Sequence, residues 1–551
     1  MYIQPNTTVR LLTGVPLDNT YAHTIYFANA TVQRQYFESK GKQSCLFSNQ
    51  SYQRYAKGSI RLSKSADDIY DCNYMMFQNT SYGNRWFYAF INNINYISNT
   101  VCEIEYEIDV IQTWFFDVTL LRSFVEREHS ATDVAGDNIV PEPVNLGEYF
   151  KSNTHQTSLF DSWGCIFVTP YKRIKNPGII GNEYIWTNLS NQIPIEPTVI
   201  GNLMNSLFYT IAKSESDVAQ FLYELNDQGI AENIVAIYPI PLDWVSTYSS
   251  GDILTGTTPY QRYVYFGSKP TTLGSYTPKN KKLLTYPYNK FVIDTTDGNV
   301  REYAFEWFSG GTNEAVAFTI YGNLLQNMCF KAVPNSYKGK GLDYQDSALL
   351  TDFPMTSYVT DSFKAWLAQN KTRLAMQTFT GIASHGMGDV LAGSQMLTPV
   401  THQLSKKGAK MMSQGYEEML SEGSRGIGGI LTEIISHGIN RFHPAGSADG
   451  SIEIGMNMKD FIGYQSYVNP HNAEIIDDFF NCYGYATHRV KIPNRNVRPH
   501  WTYVKTIDIN LESNAPADDT NKIASIYDKG ITFWRNASEV GRYDLDNSPS
   551  A

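Results

Sequence analysis

The sequence predicts a mainly β, multi-domain protein with some α-helix. Its 551 residues are too many for one ordinary core, because a domain usually holds about 150 residues. Aromatic residues make up 14% of the chain and charged residues only 18%, a balance that favours strands and argues against disorder. Short stretches that alternate apolar and polar residues also recur between turns rich in Asn, Gly and Ser.

Residues 1–130 predict a β domain built from hairpins. The sequence Tyr82-Gly83-Asn84 is typical of a turn and precedes an aromatic strand. The system of hairpins is expected to bury one face. The predicted strands are Val9–Leu12, Thr24–Phe27, Ser59–Leu62, Trp86–Ile91, Val101–Ile111 and Phe115–Leu121.

The stretch CEIEYEIDVI places an acidic residue at every second position. Because side chains on a strand alternate between its two faces, the acidic residues are expected on one exposed face and the residues between them in the core. The acidic residues, here called the acidic row, are Glu103, Glu105, Glu107 and Asp109. The residues expected to be buried are Cys102, Ile104, Tyr106, Ile108 and Val110.

The acidic row has three interpretations: a metal site, an acid/base pair, or a solvated strand face. Successive carboxylates on one strand lie about 7 Å apart, whereas the ligands of one Ca²⁺ must converge to about 2.6 Å from the ion. A straight row therefore cannot form a metal site by itself. Two carboxyl groups about 5–10 Å apart suit a glycosidase, but any such strand provides that spacing.

Residues 131–144 read as a linker, and residues 145–376 predict mixed α+β domains. One helix is well marked, because Ser214 is a suitable N-cap, Asp217 follows three residues later and Gly229 is a suitable stop. Its apolar stripe is Val218, Phe221, Leu222 and Leu225. The predicted strands are Cys165–Pro170, Ile234–Pro241, Tyr263–Phe266, Lys290–Asp294, Arg301–Phe308 and Val316–Tyr321.

Residues 377–443 differ in composition from the rest and predict a long internal loop. The part from Gly381 to Asn440 is rich in Gly, Met and Ser and has one aromatic residue, Tyr416. Such a stretch inside a folded chain is usually disordered or functional. Residues 444–551 return to globular sequence, with a predicted helix over Glu474–Tyr483. Its expected buried stripe is Ile475, Ile476, Phe479, Phe480 and Tyr483, and the closing strands are expected around Val490, Tyr503–Thr506 and Ile531–Trp534.

Composition and motifs argue against several classes of function. The net charge of −10 opposes binding to nucleic-acid phosphates, and the phosphate-loop, HExxH and GxSxG motifs are absent. The adjacent pair Glu128-His129 is expected to have a structural or surface role rather than a catalytic one. Six scattered cysteines predict free thiols in a reducing cytoplasm. We expect no membrane-spanning helix, signal peptide, metal, cofactor or enzymatic activity.

Several short segments of the sequence resemble segments of one protein family and occur in the same order along the chain. They are Asn73-Tyr-Met-Met-Phe-Gln-Asn79, Tyr82-Gly-Asn-Arg-Trp-Phe-Tyr-Ala-Phe90, Glu107-Ile-Asp-Val-Ile-Gln-Thr-Trp114, Phe479-Phe-Asn-Cys-Tyr-Gly-Tyr485, Arg489-Val-Lys-Ile-Pro493 and Tyr527-Asp-Lys-Gly-Ile-Thr-Phe-Trp534. They resemble the tail knob, or distal tail tube, proteins of small short-tailed bacteriophages with protein-primed linear DNA. This resemblance implies tube-type β-sandwich or barrel domains, assembled by six subunits into a ring around a channel.

The resemblance also implies a virion protein at the distal end of the tail, made in the host cytoplasm. Its partners would be five further copies, other tail or collar proteins, the host membrane, and viral double-stranded DNA in transit without sequence readout. Residues 1–130 and 444–551 would together form the tube domain. Either the acidic row faces the channel and repels phosphate, or it faces outer solvent or a neighbouring subunit.

In the resembled family a long loop plugs the channel and helps to penetrate the membrane. The corresponding loop here also carries Lys and Glu residues, which cost about 2.5–3.5 kcal/mol each at a bilayer centre, so its insertion would be partial. The plug residues would be Gly381, Met387, Leu391, Met396, Leu397, Met411, Met412, Leu420, Ile427, Ile430, Leu431, Ile434 and Ile435. The alternatives are a tail-tip hydrolase that degrades cell-surface polymer and a receptor-binding fibre.

Overall fold

A computed structural model describes the chain at residues 6–50, 58–80, 83–175, 184–187, 207–254, 260–295, 298–309, 315–324, 328–351, 353 and 459–549. Within these residues the protein is mainly β, with several sheets and five α-helices, which confirms the predicted fold class. The loop predicted at 377–443, with all its plug residues, lies outside the described residues. The divisions predicted at residues 130, 144, 376 and 443 stay predictions.

The helices and strands follow one another in three groups. The first group is β1 (Thr7–Thr13), β2 (His23–Ile25), α1 (Ala30–Ser39), β3 (Gly41–Gln50), β4 (Ser59–Leu62), β5 (Cys72–Asn79), β6 (Trp86–Ser98), β7 (Val101–Ile108), α2 (Val110–Thr113), β8 (Val118–Leu120) and β9 (Ser123–Glu128). The second group is β10 (Tyr149–Gln156), β11 (Trp163–Thr169), β12 (Lys172–Lys175), β13 (Tyr184–Thr187), β14 (Phe208–Ala212), α3 (Glu215–Asp227), β15 (Ala236–Pro241), β16 (Tyr260–Ser268), β17 (Asn289–Thr295), β18 (Val300–Ala304), β19 (Ala315–Asn323), β20 (Cys329–Tyr337), β21 (Lys340–Leu342) and β22 (Ala348–Leu350). The third group is β23 (Phe461–Val468), α4 (Pro470–Tyr483), β24 (Tyr485–Lys491), β25 (Trp501–Ile507), β26 (Leu511–Ser513), α5 (Ala517–Lys529) and β27 (Ile531–Trp534).

A six-stranded antiparallel sheet in the order β3-β1-β5-β6-β7-β4 forms the N-terminal region. Neighbouring residues along β5 belong to two different cores: Met75 packs with Leu11 and Ile104, and Tyr74 with Phe90. Residues of a strand alternate between faces, so this sheet has a hydrophobic core on each side.

A second sheet, in the order β2-β27-β25-β9-β24, joins the two ends of the chain. The pair β2 and β27 is parallel and the other pairs are antiparallel. Its core includes Val125 from the N-terminal region and Val504, Ile523 and Phe533 from the C-terminal region. Residues more than 370 positions apart in sequence, such as Val125 and Val504, therefore fold into one unit.

The middle of the chain forms further antiparallel sheets around a shared core. Their orders are β10-β23-β17-β18, β14-β11-β15 and β16-β19-β20-β21, with β22 paired to β20 and a separate β12-β13 hairpin. Ser214 caps the start of helix α3, because its side chain accepts a hydrogen bond from Asp217 N. Gly229 follows the end of the helix with φ of 68°. All four predicted stripe residues are buried in this core, which confirms the predicted helix.

Several sequence predictions need correction. The predicted strand Val101–Ile111 ends at Ile108, the one at Phe115–Leu121 is only Val118–Leu120, and the one at Arg301–Phe308 ends at Ala304. Among the elements that were not predicted are α1, β3, β5, β9 and α5. Helix α4 exposes 56% of Ile475 and 40% of Tyr483, because it buries Asp477 and Asn481 instead. The stretch predicted as a linker, 131–144, has no helix or strand, yet two of its carboxylates are buried, as shown below.

Candidate functional site

Three residues of the acidic row lie on the solvent face of β7. These residues, Glu103, Glu105 and Glu107, are called here the acidic strand face; Glu105 is exposed and the other two are half-buried. Strand β7 pairs with β6 on one side and with the sheet-edge strand β4 on the other. As predicted, the intervening Cys102, Ile104 and Tyr106 are buried; they pack in the core, and Val110 is also buried. Ile108 is only half-buried.

Neighbouring side chains partly compensate the charge of this face. Glu103 forms an ion pair of 3.3 Å with Arg61 Nε of β4, and Glu105 accepts a 2.7 Å hydrogen bond from Asn95 Nδ2 of β6. Glu107 is paired with Lys522 of α5. Within the described residues Glu105 has no ion-pair partner, so it is the least compensated of the three carboxylates.

The pKa of Glu107 reflects two opposing effects. Partial burial raises the pKa, but hydrogen bonds from Lys522 and from Asn19 Nδ2, the latter 3.2 Å long, lower it by more. The net pKa lies below the ordinary value for Glu. Glu107 is therefore a stable anion at neutral pH and is not suited to act as a general acid.

Asp109 does not belong to this face, so the prediction was wrong for this residue. Only 1% of Asp109 is exposed, and its side chain caps α2 by accepting a 3.0 Å hydrogen bond from Gln112 N. The Tyr74 hydroxyl donates a second bond of 2.9 Å. Burial raises the pKa of Asp109 to about 6, although these hydrogen bonds lower it in part. Enclosed within the subunit, Asp109 cannot line a channel.

A buried ionic group, called here the junction cluster, was missed by the sequence reasoning. It consists of Arg127, Glu142 and Lys282: the Glu142 side chain is fully buried and is paired with both cations. Glu142 also accepts a 2.8 Å hydrogen bond from Ala486 N. Glu142 therefore connects the stretch predicted as a linker to the middle and C-terminal parts of the chain. Asp133, in the same stretch, accepts a 2.7 Å hydrogen bond from the Tyr485 hydroxyl.

The pair Glu128-His129 has a structural role, one of the two non-catalytic roles that the sequence predicted. Both residues are at most 2% exposed. His129 Nδ1 accepts a 2.8 Å hydrogen bond from Tyr503 N, and its Nε2 lies 3.1 Å from Asn481 O, which fits a neutral ring with its proton on Nε2. Burial and nearby Arg498 lower the pKa of His129 to about 3, so the ring is uncharged at neutral pH.

A cleft of about 720 Å³ lies between α1 and the turn that follows β27. Its described lining includes Lys40 and Arg535 but no Asp, Glu, His or Cys. Among the described residues the Tyr36 hydroxyl in this cleft finds no hydrogen-bond partner, and burial raises its pKa to about 12. The described lining therefore lacks the pair of carboxyl groups that most glycosidases use.

Three further features of the described residues bear on function. No cluster of three or more His, Cys, Asp or Glu side chains in them is placed to hold a metal ion. No helix in them is both long and apolar enough to cross a membrane. The six cysteines all lie in described segments and are free thiols, as predicted.

Comparison with known proteins decides the family. Residues 255–548, just over half of the chain, match the family described as Bacillus phage phi29, tail knob protein gp9, C-terminal domain. The chain belongs to the phi29 tail knob protein gp9 family. Residues 5–119 also match the caudoviral major tail protein N-terminus. This membership confirms the resemblance seen in the short sequence segments and makes the chain a structural protein of a phage tail.

Curated members of the gp9 family match along almost the whole chain. The tail knob protein gp9 of Bacillus phage B103 is 26% identical, and that of Bacillus phage phi29 is 24% identical, each over 98% of both chains. The solved bacteriophage C1 tail knob protein, gp12, is 13% identical, covers 97% of this chain and 98% of its own, and superposes with a TM-score of 0.58. That last similarity shows the fold alone. A virion location, with other tail proteins as partners, follows from membership of the gp9 family.

Proposed function

We propose that six copies of this chain form the distal tube of a phage tail, a ring around a channel through which the genome passes. The observation that carries this proposal is the match to tail knob proteins over 98% of both chains. A conduit needs no sequence readout and no hydrolysis, and the absence of nucleotide-binding and protease motifs from the sequence agrees with that. The subunit would be made in the host cytoplasm and would join other tail proteins in the virion.

The acidic strand face is proposed to line the channel. DNA carries about one negative charge per 1.7 Å of its axis, so a basic wall would retain it and an acidic wall lets it slide. Glu105 supports this role best, because it is exposed and has no ion-pair partner within the described residues. Glu103 and Glu107 contribute less, since Arg61 and Lys522 compensate their charges.

The loop at 377–443 is proposed to plug the channel and to meet the host membrane on release. Charged residues lie among its apolar residues, from Met387 to Ile435, which suits partial rather than full insertion. Deletion of residues 381–440 tests this role. We expect rings to form as before, while leakage of dye from liposomes is lost; leakage that survives the deletion rules the membrane role out.

Assembly itself is tested on the purified chain by electron microscopy and native mass spectrometry. The proposal predicts open rings with the mass of six chains. Fibres or compact monomers would contradict it and favour a receptor-binding fibre. Release of reducing sugar from purified host wall would favour the tail-tip hydrolase instead.

A further inference from the structure

Three adjacent strands carry a row of exposed apolar side chains at one end of the sheet that joins the chain termini. Val490 of the edge strand β24 is paired with Phe124 of β9, and Phe124 is paired with Ile507 of β25. Residues directly opposite each other on neighbouring strands point to the same face, so these three side chains are continuous. They are called here the apolar row.

The exposure of the apolar row is high for such residues. Val490 is 59% exposed, Ile507 48% and Phe124 37%. Ile492, just beyond the end of β24, is 57% exposed and extends the same end of the sheet. Four half-exposed side chains of this size offer roughly 300 Å², the lower end of the range for the largest apolar patch on a monomer, which is often functional.

Helix α4 covers part of this sheet face and leaves the end with the apolar row open. Tyr503 and Lys505 share the face of Ile507, because they lie at alternate positions of β25. Helix α4 covers Tyr503, whose ring lies 5.2 Å from that of Tyr483, and it places Phe479 4.8 Å from the guanidinium of Arg127. The cover provided by α4 therefore stops before the apolar row.

Two lysines beside the apolar row are paired within the chain. Lys505 forms a 2.9 Å ion pair with Glu126, and Lys491 is paired with Glu128. Covering the row would therefore leave these two lysines compensated, and an unpaired buried charge is the main cost of burying a polar surface. An uncharged patch also gives DNA phosphate nothing to bind.

We propose that the apolar row is a contact to the next copy of this chain in the ring, an inference that rests on the proposed assembly. Copies of a chain with net charge −10 repel one another, so they approach best through an uncharged patch. The row begins at Val490 on the edge strand β24, where a neighbour placed side by side reaches it. Together with Ile492, its roughly 300 Å² is over a third of the ~800 Å² that each partner gives to a standard interface.

The test compares the same substitution at two exposed valines, one in the apolar row and one in another sheet. Val490→Lys adds a charge to the row, and the control Val300→Lys adds the same charge to β18, an edge strand of another sheet where Val300 is 53% exposed. Native mass spectrometry over a concentration series measures assembly, and circular dichroism measures folding. We expect V490K to require at least tenfold more protein to form rings, with an unchanged spectrum, and V300K to assemble like the wild type.

A second pair of variants guards against an effect peculiar to one strand. Ile507→Asn alters the row from β25, and its control Ile475→Asn alters an isoleucine of α4 that is 56% exposed. The inference predicts weaker assembly for I507N alone. The inference is overturned if V490K and I507N assemble normally. It is also overturned if both variants lower only the melting temperature, or lose only the binding of another tail protein. A wild-type chain that never forms rings contradicts the proposed function itself, an outcome distinct from these.

Discussion

The Tyr74 hydroxyl donates a 2.9 Å hydrogen bond to the buried carboxylate of Asp109. This bond marks the point where the acidic row leaves the surface and enters the core. Asp109 also caps α2, so the residue that continued the alternation in the sequence ends the strand in the structure. The acidic strand face therefore has three residues, and the next acidic residue, Asp109, caps α2 instead.

Asp109→Asn should change how stability depends on pH. The folded pKa of about 6 lies above the ordinary value for Asp, so the folded state holds the proton more tightly between about pH 4 and 6. The stability that protonated Asp109 contributes is present below about pH 4 and lost as the pH rises through 6. Relative to the wild type, D109N should therefore gain on the order of 3 kcal/mol between pH 4 and pH 7.

Chemical unfolding of D109N and the wild type at both pH values measures this difference. Asp67→Asn, which removes an exposed carboxylate, is the control for the loss of one charge. A constant difference between D109N and the wild type across the pH range would show that Asp109 is not the group that titrates.

Glu142→Gln should destabilise the protein strongly. The substitution leaves Lys282, 3% exposed, and Arg127, 11% exposed, without their shared carboxylate, and breaking a buried pair from one side costs about 3–5 kcal/mol. The matched control is Glu103→Gln, whose partner Arg61 is 60% exposed and which should cost at most about 1 kcal/mol. Thermal unfolding of both variants compares the costs, and equal losses would contradict a buried junction cluster.

Gly484→Ala should disturb the contact between α4 and β9. Gly484 has φ of 66°, and a Cβ there would lie 2.2 Å from Glu128 O. The control is Gly339→Ala, where φ is 73° but no atom lies within 4 Å of the added carbon. Both variants bear the backbone strain, and overpacking should cost G484A about 1–3 kcal/mol more. Melting temperatures that fall equally would show that the chain relaxes around residue 484.

Reversing the charge of the acidic strand face should make the ring retain DNA. In Glu103→Lys/Glu105→Lys the wall of the channel would become basic, and each phosphate contact steepens the dependence of binding on salt. Asp67→Lys/Asp68→Lys changes the net charge equally at two exposed residues elsewhere. Filter binding of duplex DNA at low salt should detect tight binding for E103K/E105K rings alone. Equal binding by both variants would place the acidic strand face outside the channel.

Sequence reasoning succeeded where a signal was local. The cap at Ser214, the stripe of four apolar residues and the stop at Gly229 all lie within 16 residues, and α3 follows them closely. The alternation Cys102–Tyr106 likewise predicted which side chains of β7 are buried. The sequence Asp109-Val-Ile-Gln112 has the spacing of a helix cap and so indicates locally where β7 ends. The alternation of apolar and acidic residues nevertheless predicted a longer strand.

Contacts between distant residues could not be predicted in this way. Glu142 is polar and surrounded by turn residues, so its stretch reads as a linker, while its partner Lys282 lies 140 positions away. Asp477 of α4 is buried because it accepts hydrogen bonds from Lys279 N and Asn280 N, and no periodicity of apolar residues reveals such a partner. The direction in which the acidic strand face points depends on neighbouring subunits, which one chain does not specify.

The most direct test of the account is a cryo-electron microscopy map of the assembled wild-type protein. The account predicts a closed ring of six chains in which the side chains of Glu103, Glu105 and Glu107 face the central channel. A ring with these side chains on its outer wall or between subunits would contradict the acidic conduit, and a particle without a central channel would contradict the proposed function as a whole.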